Sequence, residues 1–179
     1  MSLTALEHEL RDSSARAENL ASRLPAAALA RRPGPERWSP AECVEHLNLT
    51  TRAYLPLLDK GIADLSAKQH LSPGPYRMEW KARFFRWLLE PPARLKMPTL
   101  PPFQPVAIAD PERVIPDFIG LQDQLLERLH RGDGLALDQY LIPSPFAKNV
   151  RYNLYAAFVV IAVHERRHFW QAERAAQFG

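Results

Sequence analysis

Two histidines four residues apart occur in the string His164-Glu-Arg-Arg-His168. Side chains at i and i+4 share one face of a helix, so both imidazoles can reach a single ion. The string follows the most apolar run of the chain, Leu154 to Val163. That placement points the pair into the protein and away from water. The string also matches H-E-x-x-H, the zinc-protease signature in which the glutamate is the general base. However, only eleven residues follow His168, too few for a downstream glutamate on another helix. Gln171 and Arg174 also stand where the extended signature requires glycine and a third histidine. A third ligand is therefore expected upstream.

His46 is the candidate, at the rim of the inward arc of an earlier helix, with Cys43, Thr50, Ala53 and Leu57 on neighbouring turns. Three histidines from two helices would hold Zn²⁺, Ni²⁺ or Fe²⁺ and leave positions open for water or substrate. The bland alternative for His46 is a core histidine bonded to a carbonyl. Cys43 is either a fourth ligand or, more simply, a small buried hydrophobe. Glu165 is the candidate proton acceptor for a metal-bound water. It points about a quarter-turn from the histidine face, so a surface or supporting role is equally open. Arg166 and Arg167 are expected in solvent, the alternative being that they draw an anionic substrate to the mouth of the site. His8, His70 and His130 are expected in solvent.

Four helices must position these groups. The first spans about residues 2–24, with Leu3, Leu6, Leu10, Ala17, Leu20 and Leu24 as its stripe and Thr4 and Glu7 as a possible capping box. Residues 25–38 read as loop. The second opens on a Ser39-Pro40-x-Glu42 box and buries Val44, Leu47, Thr51, Tyr54, Leu58, Ile62 and Leu65. Glu45, Asn48, Arg52 and Asp59 lie opposite, facing water, and Pro56 is expected to kink the helix. The third starts at Asp110-Pro111 and ends at Arg131-Gly-Asp-Gly134, and the fourth covers about residues 150–177. No strand alternation is evident. The expected fold is all-α, a four-helix bundle in a single domain over residues 1–179.

The long connection between the second and third helices, residues 66–110, holds eight of the seventeen prolines. Its middle, residues 76–90, reads as a short amphipathic helix carrying Trp80, Phe84, Phe85 and Trp87. Such a helix would pack over one end of the core or form a dimer surface or pocket lid. Arg83, Arg86, Arg94 and Lys96 interleave with these aromatics, but a net charge of +3 gives no reason to expect a nucleic-acid partner. One cysteine excludes a disulfide scaffold. With no signal peptide and no apolar run long enough to span a bilayer, a soluble cytoplasmic protein without a membrane partner is expected.

Two stretches make the chain resemble the DinB-like superfamily of metal-binding four-helix bundles. They are Trp38-Ser-Pro-Ala-Glu-Cys-Val-Glu-His46-Leu, and Arg151-Tyr-Asn-Leu-Tyr-Ala-Ala continuing through His164-Glu-Arg-Arg-His168-Phe-Trp-Gln171. The connection Pro91-Pro-Ala-Arg-Leu-Lys96 is similar too. The resemblance implies an up-down-down-up bundle, often a homodimer, with one divalent metal at His46, His164 and His168. It also implies a choice of reactions on small molecules, because relatives include thiol-dependent S-transferases and isomerases and metal-dependent hydrolases. A low-molecular-weight thiol is then a possible co-substrate. The competing expectation is a non-catalytic metal- or ligand-binding stress protein that acts through a dimer or partner surface.

Overall fold

The computed structural model describes residues 1–92, 98–106, 108 and 110–177. Helix α1, Leu3–Arg23, is capped by Ser2, whose side chain accepts from the Ala5 amide at 3.1 Å. Ser2 takes the role expected of Thr4, and Glu7 instead pairs with Arg11 at 2.8 Å. The buried face of α1 is Leu6, Leu10, Ala17 and Leu20, with Ser13 among them. Residues 25–38 are not all loop: the alanine-rich Ala26–Ala30 forms a short helix, α2.

Helix α3, Pro40–Ala67, opens on the complete Ser39/Glu42 capping box. It runs through Pro56, which is exposed. Asn48 departs from its expected solvent position. It is fully buried, and its amide donates to the Val114 carbonyl at 3.0 Å, tying α3 to the next long helix. Within the long connection, α4 covers Trp80–Leu89 and a 3-10 turn covers Pro101–Phe103. Helix α5, Pro111–Arg131, starts from the Asp110 cap.

The all-α expectation needs one correction. Residues 141–153 form an antiparallel hairpin, β1 (Leu141–Ser144) and β2 (Ala147–Asn153), and the last helix starts only at Leu154. Ile142 and Tyr152 face each other across the ladder and are both buried. Pro143 and Pro145 interrupt this segment, and β1, with four residues, is too short to show a clear period of two. Asn153 closes β2 and caps α6, Leu154–Ala176, accepting from the Ala156 amide at 2.8 Å.

Helix α3 packs against α5 and α6, α1 packs against the same two helices, and α4 lies on α6. The approach of α3 to the start of α6 is close: a Cβ at Gly61 would lie 2.2 Å from Leu154 Cδ1 and 3.0 Å from the Tyr140 ring. Buried apolar side chains form two clusters. One contains Leu154 to Val163 of α6 except Val160, and the other contains Phe169 and Ala172 with Val44, Leu47 and Phe118. Residues 164–168 occupy the break between them, so the polar end of the apolar run falls inside the protein. No helix among the described residues is long and apolar enough to cross a membrane.

Candidate metal centre

Helix α3 delivers His46, and α6 delivers His164 and His168 on successive turns. One ring nitrogen from each lies within 4.8 Å of those of the other two. The imidazole centroids are 4.4 Å apart for His46 and His168, 4.5 Å for His164 and His168, and 5.0 Å for His46 and His164. His46 Nδ1 lies 2.7 Å from the Phe103 carbonyl oxygen. A carbonyl only accepts, so Nδ1 carries the proton and Nε2 is left with its lone pair. That Nε2 is 3.2 Å from Nε2 of His164. Two nitrogens bound tetrahedrally to one zinc at 2.0–2.1 Å would lie about 3.3–3.4 Å apart.

Two further observations fit a bound ion. Nδ1 of His168 is buried with no hydrogen-bond partner, a costly state for a ring nitrogen that nothing satisfies. Burial also pushes the His46 pKa down, against the hydrogen bond to Phe103. Burial pushes His164 and His168 well below the ordinary histidine value, reinforced by the neighbouring histidines and by the charge of Arg167. Neutral imidazoles are the form that donates a lone pair to a metal. The donor set of three nitrogens therefore suits a divalent transition ion.

Aromatic rings fix the imidazoles from outside. Trp38 lies 5.0 Å from His46 and stacks on His168 at 5.9 Å, and Phe146 of the hairpin turn lies 5.7 Å from His164. Gln171, one turn after His168's neighbour Arg167, lines the pocket that opens above the triad. That pocket, of about 1520 Å³, is walled by the Trp38 loop, Phe85 and Leu89 of α4, the proline-rich connection, the hairpin and α6. The long connection thus supplies both a wall and, through Phe103, the carbonyl that orients a candidate ligand.

Glu165 is not brought to this group. Its Oε1 accepts from Gln122 Nε2 at 2.7 Å, it is 1% exposed, and it does not line the pocket. The quarter-turn offset carries it into the seam with α1 and α5, where Ser13 also bonds it. Burial pushes its carboxyl up to about 8, against the hydrogen bonds from Gln122 and Ser13. Cys43 is buried at the pocket edge but stands outside the cluster of ring nitrogens, and burial pushes its thiol up.

The two arginines differ from their expected solvated state. Arg166 pairs with Glu90 at 2.6 Å and Glu9 at 3.3 Å. Arg167 is 6% exposed, lines the pocket and donates to the Leu88 carbonyl at 3.2 Å. His8 and His70 are exposed, and His130 lies 3.3 Å from Glu7. Arg94 and Lys96 lie outside the described residues.

Sequence reasoning missed Phe103 and Phe146 as parts of the site, carried Trp38 only as the start of the family-like stretch, and favoured solvent for Arg167 over a place at the site mouth. Trp38, eight residues before His46, and Arg167, beside His168, are local to the ligands; Phe103 and Phe146 come from chain distant from the histidine that each one touches. The family profile described as the DinB superfamily matches residues 9–172. No curated protein and no solved structure matches the chain.

Proposed function

Because the chain belongs to the DinB superfamily, we propose that it binds one divalent metal ion on His46, His164 and His168 and acts as a metal-dependent enzyme on a small molecule. Zn²⁺, Ni²⁺ and Fe²⁺ all suit three imidazoles, and the reaction is either hydrolysis or transfer of a low-molecular-weight thiol. The observation that carries this reading is the convergence of three neutral imidazoles at the floor of a large pocket. Three protein ligands leave coordination positions free, as catalytic sites require and closed structural sites do not. When bound, such an ion would lower the pKa of a coordinated water or thiol and polarise an electrophile.

The chain's own groups would do the rest. Phe103 holds His46 with its Nε2 lone pair directed inward, and Trp38 and Phe146 keep water from the imidazole faces. Glu165 has no part at the pocket in this reading. The four long helices α1, α3, α5 and α6 are read as the up-down-down-up bundle of the superfamily, in one domain.

Metal content of the purified protein tests this reading. We expect one equivalent in the wild type and its loss in His164→Ala, and equal metal in both would refute the ligand assignment. A second reading, a non-catalytic protein acting as a homodimer, draws on Trp80, Phe84 and Trp87, which are 72%, 53% and 52% exposed on α4. It predicts a concentration-dependent dimer in sedimentation that Phe84→Ser abolishes, and no turnover with thiol or ester substrates.

A further inference from the structure

A row of hydroxyls runs from the core to the pocket wall. Tyr54 of α3 and Tyr152 of β2 are both buried and share a close hydrogen bond between their hydroxyls. Ser144 of β1 stands beside Tyr152, and its Oγ accepts from the Phe146 amide at 3.2 Å. Tyr152 and Ser144 line the pocket, whereas Tyr54 does not. The Tyr54 ring lies 5.8 Å from Phe146, and Phe146 lies 5.7 Å from His164, so one aromatic ring separates the row from the triad.

The direction of the row follows from counting hydrogens. Burial raises the pKa of both phenols, so each hydroxyl keeps its hydrogen. One hydrogen bond between two hydroxyls uses one hydrogen and leaves the other over. Among the described residues the Tyr54 hydroxyl bonds only Tyr152, and it has no opening to the pocket. Were Tyr152 the donor, the Tyr54 hydrogen would be buried without an acceptor, at the full cost of its desolvation. Tyr54 therefore donates, and the hydrogen left over belongs to Tyr152, at the wall. A hydroxyl that accepts one hydrogen bond is polarised into a better donor of the next.

Trp38, Phe85, Leu89, Phe103 and Phe146 give the same pocket an apolar, largely aromatic lining. Its volume of about 1520 Å³ is ample for a drug-sized molecule. At a side chain only 2% exposed, a neutral acceptor is favoured over a charged one, which would lose more hydration.

We propose that the pocket binds an apolar, aromatic small molecule carrying a carbonyl, and that Tyr152 donates its hydrogen to that oxygen while Tyr54 fixes the Tyr152 hydroxyl from behind. This deepens the metal-enzyme reading by naming the ligand class of its pocket, and it rests on that reading only for the chemistry that follows binding.

The test uses two fluorescent probes of one shape, 6-propionyl-2-(dimethylamino)naphthalene and its 6-propyl analogue, which lacks the carbonyl oxygen. Each is titrated into the purified protein. Tyr152→Phe should weaken binding of the ketone about three- to tenfold, the scale of one neutral hydrogen bond, and spare the propyl probe. The emission of the bound ketone should move to shorter wavelength in the same variant, as its carbonyl loses a donor. Tyr152→Phe leaves the Tyr54 hydrogen without an acceptor. Should it fail to fold, the pair Tyr54→Phe/Tyr152→Phe, with both partners apolar, should fold and show the same loss. Unchanged ketone binding and emission in the folded variant, or an equal drop for both probes, overturns the proposal, as does a wild type that binds no ketone. Loss in Ser144→Ala but not in Tyr152→Phe assigns the donor to Ser144 and overturns it too. Loss in Phe84→Ser alone overturns it by locating the probe on the exposed face of α4. Repeating the comparison in a His164→Ala background separates the two readings. An effect of Tyr152→Phe that persists there supports the Tyr152 assignment whatever the fate of the metal reading. An effect that vanishes there assigns the carbonyl to the ion and overturns the role of Tyr152.

Discussion

Replacing Glu165 with glutamine should make the pH dependence of stability flatter. The native carboxyl is pushed up to about 8 from an ordinary 4.5, chiefly by burial. Between those values the folded protein keeps a proton that the unfolded chain has released. Stability therefore falls as pH rises, by about 1.36 kcal/mol per pH unit. The loss is about 3 kcal/mol by pH 7 and about 4 kcal/mol at pH 8, and it levels off at about 5 kcal/mol above that. Oε2 of Glu165 and Oε1 of Gln122 are both buried without a hydrogen-bond partner, so a proton or an amide N–H at position 165 is favoured over a bare carboxylate. Urea unfolding of both proteins, followed by circular dichroism from about pH 5 to pH 9, measures the difference directly, because groups common to both cancel. The advantage of Glu165→Gln should grow by several kcal/mol across that range while metal content stays at the wild-type level. An advantage that does not change with pH would show that the native carboxyl is ionised and would refute the argument from burial.

Metal should stay bound through the range where an ordinary histidine protonates, about pH 6.5, because burial holds all three imidazoles neutral to lower pH. Metal content after dialysis at stepped pH checks this, and release centred at or above that value would contradict it. Gly61→Ala should cost about 1–3 kcal/mol in urea unfolding, since its Cβ would overlap Leu154 at the contact of α3 with α6; an unaltered midpoint would deny the close approach. Burial raises the Glu42 carboxyl, but Arg32 and Ser39 outweigh it and hold the pKa below the ordinary value. Its contribution is complete above the unfolded value of 4.5 and is lost as pH falls through the depressed folded value. Glu42→Gln should therefore destabilise by about 1 kcal/mol at neutral pH, with the deficit closing in acid, and a deficit that persists in acid would count against the ion pair.

Local spacing is enough to determine which residues share a helix face, and here it reaches far. The Ser39 box, the stripes of α1, α3 and α5, and the i, i+4 relation of His164 and His168 all follow from 3.6 residues per turn. The excess of proline over glycine marks the long connection and several element starts for the same local reason, a fixed φ and a missing donor. Spacing cannot say which neighbour covers a face. Glu165 and Arg167 flank the same histidines, yet packing sends one into the seam with α1 and α5 and the other into the pocket wall. Asn48 reads as solvated until α5 presents the Val114 carbonyl to it. The tautomer of His46 depends on a carbonyl 57 residues downstream in the proline-rich connection. The hairpin before α6 exists because its strands pair with each other and bury Ile142 and Tyr152 in the core, whereas the four residues of β1 carry little signal alone. Sequence by itself thus determines the histidine triad and the helices that bear it. The pocket, its charge and the state of each imidazole are decided by contacts between elements distant in the chain, since burial and hydrogen-bond partners are properties of the packed protein.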